Sequence, residues 1–232
     1  ILSHYNIETS GYGQGTAKTL GHLLAEIQNG ESRLQLINSQ LKRITNVVSI
    51  RLLFSGHILV KKAQTLEDGR LRSTGSLVAK KSLPGESREA AVVRGLQEEL
   101  KLEARNFTIE SETWLTSVLA QESPSFPGLA SEYYVSQVHV TIHVSAARLG
   151  AFASLSIDGD CVTCPKFDTI EASGDGNFIT NHWQWVPQSD LNPHINLPPM
   201  RMDTALLDQD PVLHPVRDVV ELMIMEFYKQ KY

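Results

Sequence analysis

The chain is short of cysteine, of basic runs and of long apolar stretches, and each shortage removes a class of protein. Its 232 residues hold two cysteines, Cys161 and Cys164, as one Cys-x-x-Cys. Two thiols cannot build a disulfide framework, so an intracellular, reducing setting is expected. A four-ligand zinc site would need two more ligands, which His143, His182 and His194 supply only if folding gathers them; an incidental thiol pair in a loop is the simpler expectation. No basic run occurs and the formal net charge is −5, which argues against a large nonspecific nucleic-acid surface and leaves room only for a local basic groove. No stretch reaches the roughly 18–20 apolar residues of a membrane helix. Patches such as Leu52–Phe54 and Leu222–Met225 are core-sized. The chain opens on Ile1 without a methionine, so a removed leader or a trimmed end is expected, in cytosol or organelle. No internal repeat and no low-complexity tract is present.

What is there is an ordinary globular composition, 41% hydrophobic and 20% charged. It suits one domain with extensions. Residues 1–15 carry Gly11, Gly13 and Gly15 with little periodicity and read as an extended arm. Leu20, Leu23, Leu24 and Ile27 predict a helix over Thr16–Gln28, stopped by Asn29-Gly30. A β-branched run predicts a strand over Arg43–Phe54, turned by Ser55-Gly56 into a second strand at His57–Ala63. Glu67-Asp68-Gly69 is a further turn and Ser76–Ala79 a short strand. Later strands are expected at Phe107–Leu119, Glu132–Val144 and His182–Val186. Val219, Val220, Met223, Ile224 and Phe227 predict an amphipathic helix over 216–229. The expected division is an arm and short helix at 1–42 and a main domain at 43–232. Within the latter, the Gly-rich, acid-rich segment 145–181 is expected to be a lid or docking insertion, because so long a link is unusual inside a compact domain.

Residues 84–102 are the most informative. They predict a loop at Leu83-Pro84-Gly85 and a helix over Ser87–Leu100. With Leu96 as zero and 100° per residue, Val92, Val93, Leu96 and Leu100 fall within about 60° of one line and form the expected buried face. Glu99, Gly95 and Glu98 follow along one flank at about −60°, −100° and −160°.

Glu86, Arg94, Leu96, Glu98, Glu99 and Leu102 resemble the Nudix box at its spacing. Lys80 and Lys101 stand where that box has glycines, and Gly95 stands where it has its central glutamate. The resemblance covers about Val47–Val186 and the final helix, and implies an α/β fold: a Nudix-type α/β/α sandwich with a mixed sheet and a loop-helix-loop box. Nudix enzymes cleave diphosphate linkages in nucleoside diphosphate-X compounds with Mg²⁺. The resemblance implies catalytic and metal roles for Glu98 and Glu99, and structural roles for Glu86, Arg94 and Leu96, which lock loop to helix. Two adjacent acids would hold magnesium weakly, because the cation wants an octahedral oxygen shell. Glycine inside a helix costs about 1 kcal/mol against alanine. Gly95 therefore marks either close approach by another segment or plain loss of function, the second being preferred. Lys101 is expected to alter the loop after the helix, where a left-handed turn is often needed.

Candidate ligand-binding residues are Arg88, which would reach a phosphate or pair with nearby acids, Trp183, which with Trp185 borders the expected cleft, where one ring would stack on a base although alternating Trp on a strand more often has one ring in the core, and Tyr133. Of Tyr133 and Tyr134 only one can face a cleft. Glu122 is a remote base or a solvated loop acid. The expected function is a non-hydrolytic pseudoenzyme, a ligand-binding or scaffold subunit whose partners are other protein subunits or a nucleotide or diphosphate ligand, away from membranes. The alternative is a divergent Mg²⁺-dependent pyrophosphohydrolase. RNA binding is a third reading, disfavoured by the acidic balance.

Overall fold

The computed structural model describes residues 2–143, 166–172 and 178–190. It is an α/β fold, a mixed sheet of many strands with two helices. The strands are β1 (Arg33–Ile37), β2 (Gln40–Phe54), β3 (His57–Thr65), β4 (Leu71–Ser76), β5 (Val78–Lys81), β6 (Phe107–Ser123), β7 (Phe126–Ile142), β8 (Lys166–Ala172) and β9 (Phe178–Pro187); the helices are α1 (Leu20–Gln28) and α2 (Arg88–Leu100). Hydrogen bonding orders the strands β6-β7-β2-β3-β9-β8, with β1 and β5 also on β2 and β4 on β3. No helix among the described residues is long and apolar enough to cross a membrane.

The described chain forms two compact units. One comprises Ile1–Asn46 with Ser117–Tyr134, and the other comprises Val47–Thr116 with the described residues from Val135 onward. The first unit thus takes more than the expected residues 1–42, drawing in the tips of β6 and β7.

In the first unit, α1 begins at Thr19, whose side chain accepts from the His22 backbone N–H while His22 Nδ1 accepts from the Thr19 N–H. This reciprocal cap satisfies two of the donors that a helix start leaves open. The opening residues differ from the expected extended arm. Leu2 and Ile7 are buried with Leu23, Leu24, Leu34, Leu41, Phe126 and Leu129 in one apolar cluster. A buried polar knot lies in the same unit. Arg43 donates to Glu26 Oε2 at 2.8 Å, to Ser32 Oγ at 3.1 Å and to the Tyr133 hydroxyl at 3.1 Å. Its charge also lies over the Phe126 and Tyr133 rings. A buried guanidinium is tolerable only when its donors are used in this way.

In the second unit, alternation along β2 turns Val48, Ile50, Leu52 and Phe54 to one face. That face buries Ala91, Val92, Leu96 and Leu100 of α2 together with Val138, Val140, Trp183 and Trp185. Two-residue turns with positive φ at both positions, Asn38-Ser39 and Ser55-Gly56, connect β1 to β2 and β2 to β3. The expected strands at Arg43–Phe54 and His57–Ala63 are thus β2 and β3, each longer than its apolar run.

Inside the segment expected to be a lid or docking insertion, Lys166–Ala172 is sheet. β8 pairs antiparallel with β9 from Lys166↔Gln184 to Ala172↔Phe178. Any shortening of 145–181 must spare this strand. The expected terminal helix over 216–229, Cys161, Cys164 and His194 lie outside the described residues.

Candidate functional site

The loop before α2 is clamped to the helix by one carboxylate. Glu86 accepts from Arg94 Nε at 2.7 Å and Nη2 at 2.9 Å, and from the Leu83 backbone N–H at 2.9 Å. Arg94 Nη2 also donates to the Lys81 carbonyl at 2.7 Å. A planar guanidinium matches a carboxylate in this two-pronged fashion, which fixes both distance and angle. The Arg94 hydrogen bonds, with help from the Leu83 N–H, hold the Glu86 carboxyl below the usual range although burial works the other way. A group of this sign stabilises the fold above its unfolded value, near pH 4.3, and loses that contribution as pH falls through the lower folded value. Denaturant titration from pH 7 to pH 2 is therefore expected to show an acid loss that Glu86→Gln reduces. At neutral pH the same variant should cost about 1.5–3 kcal/mol, the worth of hydrogen bonds to a charged group. An unchanged acid limb would contradict the clamp.

Helix α2 starts at Ser87, whose hydroxyl accepts from the Ala90 N–H at 3.1 Å. It ends on Lys101, itself in the left-handed conformation at φ 58°. The Leu102 N–H reaches back to the Leu96 carbonyl. The altered loop expected from a lysine here is therefore not seen, since Lys101 adopts the turn a glycine would and its ammonium donates to the Glu98 carbonyl at 3.0 Å.

The two acids expected to act together are separated. Glu99 is 2% exposed and accepts from Lys61 Nζ of β3 at 2.8 Å. Burial pushes the Glu99 carboxyl up, and the charge of Lys61 opposes this. Trp183, also buried, donates from Nε1 to Thr169 Oγ1 at 2.8 Å, and its ring centroid lies 4.8 Å from the Lys61 ammonium. Glu98 lies on the outer side, its side chain 44% exposed, where it pairs with Lys80 Nζ at 2.8 Å and with Arg94 at 3.4 Å.

Lys80 of β5 links this face of the helix to β8. Its ammonium meets Glu171 Oε1 at 2.6 Å as well as Glu98. Burial works against charge on Lys80, but Glu171 first, then Glu98 and Glu99, raise its pKa well above the ordinary lysine range. For Glu171 burial works to raise the carboxyl, and the charge and hydrogen bond of Lys80 overcome it, leaving it lowered. Asn181 Nδ2 donates to the other Glu171 oxygen, and Gln64 donates to Asn181 Oδ1 at 2.8 Å. Directly beneath the Lys80 stem lies Gly95, where an added Cβ would stand 3.0 Å from Lys80 Cβ and 3.4 Å from Cγ. The close approach at Gly95 is by the Lys80 side chain.

The other candidates do not converge on this cluster. Arg88 lies over the Trp114 ring at 4.4 Å and pairs with Glu89. Tyr133 belongs to the first unit, where it accepts from Arg43 and donates to Ser123. Trp183 and Trp185 are both core residues, so neither offers a ring to a base. Glu122 accepts from the Gly128 N–H at 2.6 Å across the β6–β7 turn. His143 bonds Thr108 and the Arg105 carbonyl, and His182 bonds Asp168 and Thr65. Lys61, Glu171 and Asn181 were not singled out in the sequence. Their only signal is a polar residue at an inward position of a strand: Lys61 two residues beyond Leu59, and Glu171 two residues beyond Thr169.

The arrangement does not fit a divalent cation as it stands. Glu99 is sealed against Lys61, Glu98 and Glu171 grip an ammonium, and no group of three or more His, Cys, Asp or Glu among the described residues is placed to hold a metal. Glu99 turns inward to Lys61 while Glu98 turns outward to Lys80, so the two expected magnesium ligands point apart.

No family model and no curated protein matches the sequence. Among solved structures, the chain is similar to the E. coli ORF135 protein at 25% identity and TM-score 0.29, over 43% of this chain and 67% of that one. It is similar to an ADP compounds hydrolase at 15% identity and TM-score 0.31, over 86% and 85%, and to a NUDIX hydrolase from Nitrosomonas europaea at 11% and 0.28, over 70% and 76%. Scores this low mark a partial resemblance and identify neither family nor activity. The structure itself defines an α/β fold carrying a clamped loop-helix and an ammonium-bridged carboxylate cluster.

Proposed function

We propose that this chain is a Nudix-type protein that does not hydrolyse diphosphates and serves as a ligand-binding or scaffold subunit. The observation that carries the reading is the commitment of Glu98 and Glu99 to Lys80 and Lys61 at 2.8 Å each. Attack of water on phosphorus needs a firmly held cation to neutralise the diphosphate and to position the nucleophile. Carboxylates neutralised by ammonium groups of the same chain have little charge left to attract one. Retention of the Glu86–Arg94 clamp supports a box kept for its shape. Magnesium, on this reading, is not a cofactor, and the partners are other protein subunits or a nucleotide or diphosphate ligand.

The test is the purified chain with Mg²⁺ or Mn²⁺ against a panel of nucleoside diphosphate-X compounds, following phosphate products. No turnover above the protein-free control is expected. Turnover that disappears in Glu98→Gln or Glu99→Gln would instead support a divergent Mg²⁺-dependent pyrophosphohydrolase. That second reading draws on one observation: Glu171 brings another carboxylate to the Lys80 ammonium that Glu98 also meets.

A further inference from the structure

Two of the three positions that depart from the box pattern touch each other. Lys80 and Gly95 are fifteen residues apart in sequence, yet a Cβ at 95 would stand 3.0 Å from Lys80 Cβ, a contact tight enough that the Lys80 stem would have to shift. At its far end the Lys80 ammonium lies between carboxylate oxygens of Glu98 at 2.8 Å and Glu171 at 2.6 Å. Those acids come from α2 and β8, elements that no local sequence preference brings together. Glu171 is in turn aimed by Asn181, and Asn181 by Gln64. Outer hydrogen bonds of this kind fix the direction of a cation ligand. The cation held between these two acids is the Lys80 ammonium.

We propose that Lys80 is a tethered cation occupying a divalent-cation site formed by Glu98 and Glu171, and that Gly95 is glycine because the Lys80 stem passes over it. The inference rests on the non-hydrolytic reading of the box and supplies its physical basis: a divalent ion would have to displace an ammonium group that cannot diffuse away. With the ammonium gone, Glu171 loses its ion-pair partner and Glu98 keeps only the longer contact to Arg94 at 3.4 Å. Hard divalent cations with a largely aqueous shell are the class such a pair takes, since one or two carboxylates plus waters suffice for them.

A thermal double-mutant cycle tests the steric half. Gly95→Ala alone should lower Tm, because the new methyl meets Lys80 Cβ, despite the better helix propensity of alanine. In a Lys80→Gly background the same change should raise Tm by about 2–4 °C, the worth of alanine over glycine in a helix for a chain of this size. The cation half is read with Mn²⁺ alone, from the loss of its free-ion electron-spin resonance signal. Lys80→Met, which keeps the stem and removes the charge, should bind Mn²⁺ at least about tenfold more tightly than the parent. Adding Glu171→Gln should abolish the gain. Absence of the sign reversal in the cycle, or equal Mn²⁺ binding by parent and Lys80→Met, overturns this inference while leaving the function reading untouched. Mg²⁺-dependent turnover by the parent overturns the function reading, whatever the steric cycle shows.

Discussion

Replacing Lys61 by Met is expected to cost about 3–5 kcal/mol, because it leaves Glu99 buried without its partner. Glu99 is 2% exposed, and among the described residues its ion-pair partner is Lys61 at 2.8 Å. The variant should take up a proton at Glu99, since burial already favours the neutral acid. The sign follows from linkage. A carboxyl whose folded pKa is raised binds its proton more tightly in the folded chain, so the variant loses stability as pH rises from the unfolded value through the folded one. The double replacement Lys61→Met with Glu99→Leu should recover most of the loss, because apolar residues of similar volume replace a buried pair at little net cost. Urea unfolding at pH 5 and pH 8 measures both. A Lys61→Met loss under about 0.5 kcal/mol, the surface range, would mean that water reaches Glu99 and that the pair does not lock it.

Leu96→Ala should cost about 2–5 kcal/mol, the range for deleting most of a packed core side chain. Leu96 is fully buried in the cluster that joins α2 to β2, β7 and β9. The helix is held to the sheet by this apolar arc. The loss should appear in the denaturation midpoint with an unchanged slope, since the unfolded surface exposed is nearly the same. A cost under about 0.5 kcal/mol would contradict the core assignment.

The helix, its cap and its apolar face were legible because they are local. Ser87, the four-residue spacing of Val92, Leu96 and Leu100, and the Pro84-Gly85 loop all lie within one short stretch. The wheel also held information that charge obscured. Glu99 at about −60° lies as near the apolar line as Val93 at about +60°. The structure buries Ala91, Gly95 and Glu99 and leaves Val93 half-buried. The buried arc is thus turned toward the acidic flank, where Lys61 and Lys80 arrive from β3 and β5. That turn depends on strands distant in sequence, so no reading of the helix alone could supply it.

Other features escaped for related reasons. β4 is Leu-Arg-Ser-Thr-Gly-Ser, too polar to announce a strand, and it forms by pairing with β3. β8 lies in a segment dominated by glycine and acid, where seven residues of alternating Phe167, Thr169 and Glu171 were absorbed into an expected lid. Trp183 and Trp185 looked like cleft residues because tryptophan is large and has a polar handle. Their shared inward face is set by the register of β9 against β3, in which Lys61 faces Trp183 and Leu59 faces Trp185. At Gly95 the sequence allowed close approach by another segment, but only the structure shows that the segment is the Lys80 stem.

The most direct measurement is anomalous X-ray scattering from crystals of the unaltered chain soaked in Mn²⁺. The account predicts density for the Lys80 ammonium between Glu98 and Glu171, Glu99 still paired with Lys61, and no manganese peak at either acid of the helix. A manganese peak ligated by Glu98 and Glu99, with Lys61 and Lys80 swung away, would contradict it.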